Sequence, residues 1–163
     1  MARIVTKIGD IFEATLENGE SRYFQYVAND LTQLNSSVIR VFKRKFAPNE
    51  AVDLEVLVQG EVEFNVHTML KPGIQLNYCR KVGNSGNVGN PTQILFRATE
   101  DSGNVSIPIS HRWYVWRIGE DFRNVGRLKG ENRLAEEGGV MPPIAIMNRL
   151  ETGEYQYFIH GFE

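Results

Sequence analysis

A single cysteine, Cys79, stands in a chain of 163 residues, so no internal disulfide can form and a reducing cytosol suits the chain better than secretion. No apolar run is long enough to span a membrane, and the first ten residues, with Arg3 and Lys7, hold no hydrophobic stretch of signal-peptide length. Charge of one sign is lacking as well. A formal net charge of −2 argues against a dedicated nucleic-acid binder, which draws its affinity from a basic excess. The histidines His67, His111 and His160 are too dispersed for the short fixed spacings of zinc sites, and no CxxC or HxxxH motif occurs. No metal and no cofactor is expected. The expectation is a cytoplasmic protein forming one domain over residues 1–163, a length that buries roughly 70% of the unfolded surface without staples.

What is present is β-structure signal. From Ile8 to Leu16 apolar side chains alternate with polar ones, and Glu17-Asn18-Gly19-Glu20 follows, a sequence suited to a type I′ turn with positive φ at both central positions. Arg22 to Ala28 alternates again, with Phe24 and Tyr26 opposite Tyr23, Gln25 and Val27, so an antiparallel hairpin is predicted. A polar connection from Asn29 to Ser37 carries Leu31 and Leu34, expected to pin the loop to the core. Val38-Ile39-Arg40-Val41-Phe42 is the strongest strand composition in the chain. Lys43-Arg44-Lys45 ends that strand, and solvated charge guarding an edge is favoured there over contact with an acidic partner.

Asp53 is placed to cap a short helix through Leu54, Leu57 and Val58, although Val56 and Val58 also suit a strand. Glu61 to Met69 alternates as a half-buried strand, Pro72-Gly73 predicts a turn, and Ile74 to Tyr78 fits either a strand or a helical turn. Gly83 to Pro91 predicts a long flexible loop; a phosphate cradle would need a buried strand before it and a helix after it, and Gln93 to Arg97 instead reads as a strand. Asp101-Ser102-Gly103-Asn104 is a second turn, and Pro108 confines Val105 to Ile109 to an edge strand or loop. Trp113 to Ile118 is a strand with its two tryptophans on opposite faces, one for the core and one for an outer surface or second layer. Phe122 to Leu128 is a shorter strand, Gly130 to Gly139 a polar stretch anchored by Leu134, Pro143 to Thr152 a helix ended by Gly153, and Tyr155 to Phe162 a terminal strand.

Few residues point to chemistry. Cys79 with His67 or His111 could serve as a thiolate and its base, and Glu50, Asp53, Glu55, Glu61 and Glu63 supply carboxylates for acid and base work. A small buried cysteine and the wet faces of strands explain the same residues more simply. Tyr23, Arg40, Trp113, Tyr114 and Arg117, with Arg44 from the basic cluster, could stack on single-stranded nucleic acid, but without a net positive charge they read better as anchors of a protein interface.

Both ends of the chain carry a resemblance. Ile8-Gly9-Asp10-Ile11-Phe12 with the following Asn18-Gly19 resembles the opening of the type twenty-six immunity proteins of bacterial polymorphic toxin systems. The C-terminal run is similar to that family too, through Trp116-Arg117-Ile118-Gly119, Val125-Gly126-Arg127-Leu128, Gly138-Gly139-Val140, Pro142-Pro143 and Gly153-Glu154-Tyr155. The matches cover about half of the chain and leave residues 29–110 unmatched. The resemblance implies a small, mainly β cytoplasmic protein that binds and blocks a cognate toxin protein without turnover, and it implies no catalytic residues.

The combined expectation is an α+β, mainly β fold: a twisted antiparallel sheet or partly open barrel with the C-terminal helix packed on it. Its expected function is stoichiometric occlusion of a toxin. The alternatives are a nucleic-acid-binding β-barrel module and a small hydrolase. The sequence gives no oligomeric state.

Overall fold

Residues 2–163 are described by a computed structural model, in which the expected N-terminal hairpin forms from β1 (Asp10–Thr15) and β2 (Ser21–Asp30), with Phe12 opposite Phe24. The turn differs from the predicted type I′. Only Gly19 is left-handed, at φ 88°, and its N–H donates to the Leu16 carbonyl at 2.9 Å, while the Leu16 N–H donates to the Glu20 carbonyl at 2.8 Å. This is a three-residue loop closed by a glycine bulge, so Asn18 keeps an ordinary backbone and spends its side chain on the Glu20 N–H.

β3 (Ser36–Phe42) pairs with β2, β4 (Val62–Thr68) pairs with β3, and β5 (Arg80–Asn84) lies along the free side of β1, all antiparallel. Nothing in the residue pattern announced β5, because Arg80-Lys81-Val82-Gly83-Asn84 is a polar edge strand. A second sheet holds β6 (Leu95–Thr99), β7 (Trp113–Arg117), β8 (Arg123–Gly126) and β9 (Glu136–Glu137). β9 runs parallel to β6. Gly138 and Gly139 then carry the chain across to the first sheet, where β10 (Val140–Met141) pairs in parallel with β4. The strand orders are β10-β4-β3-β2-β1-β5 and β8-β7-β6-β9, both open, so the fold is α+β and mainly β while the barrel alternative is replaced by two mixed sheets.

The first sheet is covered on both faces. On one, Phe12, Phe24, Tyr26, Ile39, Val41, Phe64 and Val66 pack with Leu70 of α2 (Leu70–Gln75) and with Ala145, Ile146 and Leu150 of α3 (Pro143–Thr152). On the other, Ile11, Tyr23 and Phe42 meet Leu57 of α1 (Leu54–Leu57), and Val27 and Val38 meet Phe96 and Trp116 of the second sheet. Asp53 caps α1 as expected, its Oδ1 accepting from the N–H groups of Glu55 and Val56 at 3.0 and 3.3 Å. The C-terminal helix has the predicted limits and packs on the sheet. Pro72-Gly73 lies inside α2 rather than in a turn, because proline in the first helical turn forfeits no intrahelical hydrogen bond.

Other expectations are corrected. Leu31, Leu34 and Leu134 do not reach the core; all three side chains are exposed. Both tryptophans are buried, because each face of the second sheet is covered: Trp116 packs toward the first sheet, and Trp113 joins Val115, Leu128 and Phe162 on the far side. Tyr155 to Phe162 forms no strand, and Gly161 makes only an isolated bridge to Ile109, outside both sheets. The glycine-rich stretch is tethered at its start: Gly83 and Asn84 belong to β5, and the Ser85 and Asn87 carbonyls accept from Gln25 and Arg40 at 3.1 and 2.8 Å.

Candidate protein-binding surface

The six candidate anchors do not gather on one surface. Tyr23 is buried edge-on against Phe46, with ring centroids 5.2 Å apart, so it holds the core rather than a partner. Arg40 is also buried, where it donates to the Gln25 side chain at 2.9 Å and to the carbonyls of Val58 and Asn87 at 3.1 and 2.8 Å. Trp113 is buried and donates through Nε1 to the Ser110 carbonyl at 2.8 Å. Tyr114 is half-buried on the opposite face of β7, stacked on Trp116, and Arg117 is half-buried 3.7 Å from Glu131. Arg44 alone is well exposed, with Glu50 at 3.4 Å and the Phe46 ring beneath it. Burial of Tyr23 and Trp113 takes these two rings out of the stacking platform expected for single-stranded nucleic acid.

Cys79, one of the candidates for catalysis, is a half-buried free thiol. Burial pushes the Cys79 thiol up to about 11, the opposite of nucleophile activation. Among the described residues, no three His, Cys, Asp or Glu side chains gather as a metal site would need.

The polar centre of the molecule is instead at the joint between the sheets. Asp30, the last residue of β2, is fully buried, and its Oδ2 accepts from His67 Nε2 at 2.8 Å and from Trp116 Nε1 at 3.0 Å. Its Oδ1 accepts from the Thr32 N–H at 3.1 Å and the Thr32 hydroxyl at 2.6 Å. Burial raises the Asp30 carboxyl, and the bonds from Thr32, His67 and Trp116 more than reverse that, holding it below the usual carboxylate range. For His67, burial pushes the imidazole down and Asp30 offsets this only in part. The proton on Nε2 therefore faces Asp30, and Nδ1 has no partner. With every member sealed from solvent, this carboxylate–imidazole pair can organise structure but cannot reach a substrate.

What Asp30 organises is the β2–β3 loop. Thr32 folds onto its carboxylate, the Gln33 N–H donates to its carbonyl at 3.2 Å, and the Ser36 N–H and hydroxyl both donate to the Gln33 carbonyl, at 3.0 and 2.7 Å. The chain then turns through Leu34 at φ 55° and Asn35 at φ 50°. A left-handed leucine costs about 1–2 kcal/mol, and here it is held with its side chain 87% exposed. Leu31 on the same loop is 78% exposed, and Met69 across the adjoining cleft is 61% exposed. That cleft, of about 190 Å³, is lined by Thr6, Leu34, Ser37, Met69, Lys71 and Val140 among others, with Lys71 the only charged residue on it among the described residues. The sequence did carry a signal here. Two leucines sit in an otherwise polar loop, and hydrophobicity alone assigns them to the core.

Comparison of the chain with protein-family models, with curated proteins and with solved structures finds no match.

Proposed function

We propose that this chain is a cytoplasmic immunity protein of the type twenty-six kind, which binds a cognate toxin protein stoichiometrically and occludes it without turnover. The observation that carries the reading is the β2–β3 loop, where Leu31 and Leu34 are held out in water by a hydrogen-bonded frame and a strained backbone. A partner that covers Leu34 gains about 1.5–3 kcal/mol from its burial and pays little to order a loop already fixed through Asp30. The resemblance of the two chain ends to the immunity family supports the same reading.

Co-expression with the product of a neighbouring toxin-like gene tests the proposal. The wild-type chain is expected to relieve growth arrest and to co-purify with the toxin, while a Leu31→Asp, Leu34→Asp double variant of unchanged fold is expected to do neither. Continued arrest beside abundant wild-type chain, with no complex isolated, overturns it.

A further inference from the structure

A second feature is independent of the toxin-binding reading. Arg40 is 8% exposed, and the groups that accept from it are all uncharged: the Gln25 side chain through Nε, and the Val58 and Asn87 carbonyls through Nη2. A guanidinium keeps its charge, so burying one without a carboxylate is costly and unusual. Arg22, also buried, shows the ordinary solution. It too donates to a carbonyl, that of Phe42, but its Nη2 also reaches the Glu63 carboxylate at 3.0 Å and its charge is balanced within the fold.

Nothing beside Arg40 supplies such a charge. The neighbouring strands place Gln25 and Asn65 opposite it, and from Val82 to Phe96, the stretch that holds the glycine-rich loop, the chain has no charged residue. Glu55 on α1 spends its Oε2 on the Ser85 hydroxyl at 3.2 Å and bonds no guanidinium. Burial lowers the pKa of the Arg40 guanidinium from its ordinary value, and no carboxylate offsets this. The remaining nitrogen, Nη1, makes no hydrogen bond to the described residues. Unlike the unpartnered Nε of Arg117, it is not sealed from solvent.

Gly89 keeps Nη1 open. It lies against the guanidinium at φ 69°, and a methyl group there would stand 2.5 Å from Nη1 and 3.4 Å from the guanidinium carbon. With so little of Arg40 exposed, the opening suits a small ion better than a rigid protein surface. Two free N–H groups on an unbalanced cation call for a negatively charged group that only accepts, and phosphate and carboxylate share that chemistry. From the open, unpartnered Nη1 of a buried arginine that has no carboxylate, we propose that this protein binds a small oxyanion, through a phosphate or carboxylate oxygen, between β3 and the glycine-rich loop. The donor is a side chain from a strand, so the site needs no helix N-terminus and differs from a nucleotide cradle.

Titration of the isotopically labelled full chain with sodium phosphate and, separately, sodium acetate tests this, with ionic strength held constant by chloride. The Arg40 Nε resonance is expected to move saturably with at least one of the two. Movement with phosphate alone assigns a phosphoryl group, and movement with acetate assigns a carboxylate. Gly89→Ala is expected to weaken binding about tenfold, the loss of one charge-assisted hydrogen bond. Gly86→Ala, on the same loop, adds a methyl that meets nothing within 4 Å and should bind as wild type does. Arg40→Met is expected to abolish the rise in melting temperature that the bound anion gives the wild-type chain. Should either Gly89→Ala or Arg40→Met fail to fold, the wild-type titration decides alone. No saturable movement with either anion overturns the proposal, as does undiminished binding by folded Gly89→Ala or an anion-dependent melting rise kept by Arg40→Met. None of these outcomes touches toxin neutralisation, which is read at Leu31 and Leu34.

Discussion

Trp116 Nε1 donates to Asp30 Oδ2 at 3.0 Å across 86 residues of sequence, so the second sheet is fastened to the first through a buried carboxylate. The same carboxylate holds the β2–β3 loop through Thr32 and accepts from His67 on β4. One residue therefore links the packing of the two sheets to the shape of the β2–β3 loop.

Trp116→Phe keeps most of the aromatic volume and deletes the donor. It leaves the fully buried Asp30 short of one hydrogen bond, at a cost of about 1–3 kcal/mol. Urea denaturation should show a lower midpoint at unchanged slope. An unaltered midpoint would mean that the bond contributes nothing to stability.

Acid should weaken the fold before ordinary carboxylates titrate. His67 has a folded value below its ordinary one of about 6.5, so below that pH the unfolded chain binds a proton that the native chain refuses. Stability should fall as pH drops from 7 toward the folded value of His67. Asp30, with a folded value below that of a free carboxyl, adds a further loss as pH falls below about 4. A His67→Gln variant should lose the first decline and keep the second, which denaturant titrations at pH 7, 5 and 3.5 would separate.

Leu34→Asn should move stability and binding in opposite directions. Asparagine tolerates the left-handed backbone at φ 55°, so relief of strain should raise stability by about 1 kcal/mol. Under the proposed function, loss of this exposed apolar side chain should weaken capture of the proposed toxin partner. The pairing is diagnostic: a mutation that only damages the fold would lower both readouts.

Gly138→Ala should be poorly tolerated. A methyl group there would run into the Trp116 ring and lie 2.8 Å from the Arg97 carbonyl, at the point where the chain passes from one sheet to the other. Overpacking of this kind costs about 1–3 kcal/mol. Gly139→Ala, whose methyl would meet only the end of Met141 at 3.9 Å, is the matched control and should melt near wild type.

The strands from Asp10 to Phe42 and from Val62 to Thr68, the cap at Asp53 and the helix Pro143–Thr152 were legible because each is written in local pattern: alternation, an N-cap side chain, proline at the first helical position. β5 and the two-residue strands β9 and β10 were not, since polar edge strands take their pairing from neighbours distant in sequence. The binding candidates fared worst. Tyr23, Arg40 and Trp113 have the residue types of interface anchors, yet each completes a buried layer, while Leu31 and Leu34 have the types of core residues and stand in water.

Alternation along a strand tells which side chains share a face, and in this protein it does so along β1, β2 and β3. It cannot tell which faces meet another layer. That was decided when the second sheet, α1 and the α2–α3 pair closed over both sides of the first, burying polar residues such as Asp30, His67 and Arg40 that then had to find partners within the fold. Hydrogen bonding of those buried groups joins Asp30 to Trp116 and sets the β2–β3 loop outward, because a buried carboxylate must take its donors from wherever in the chain they can be reached.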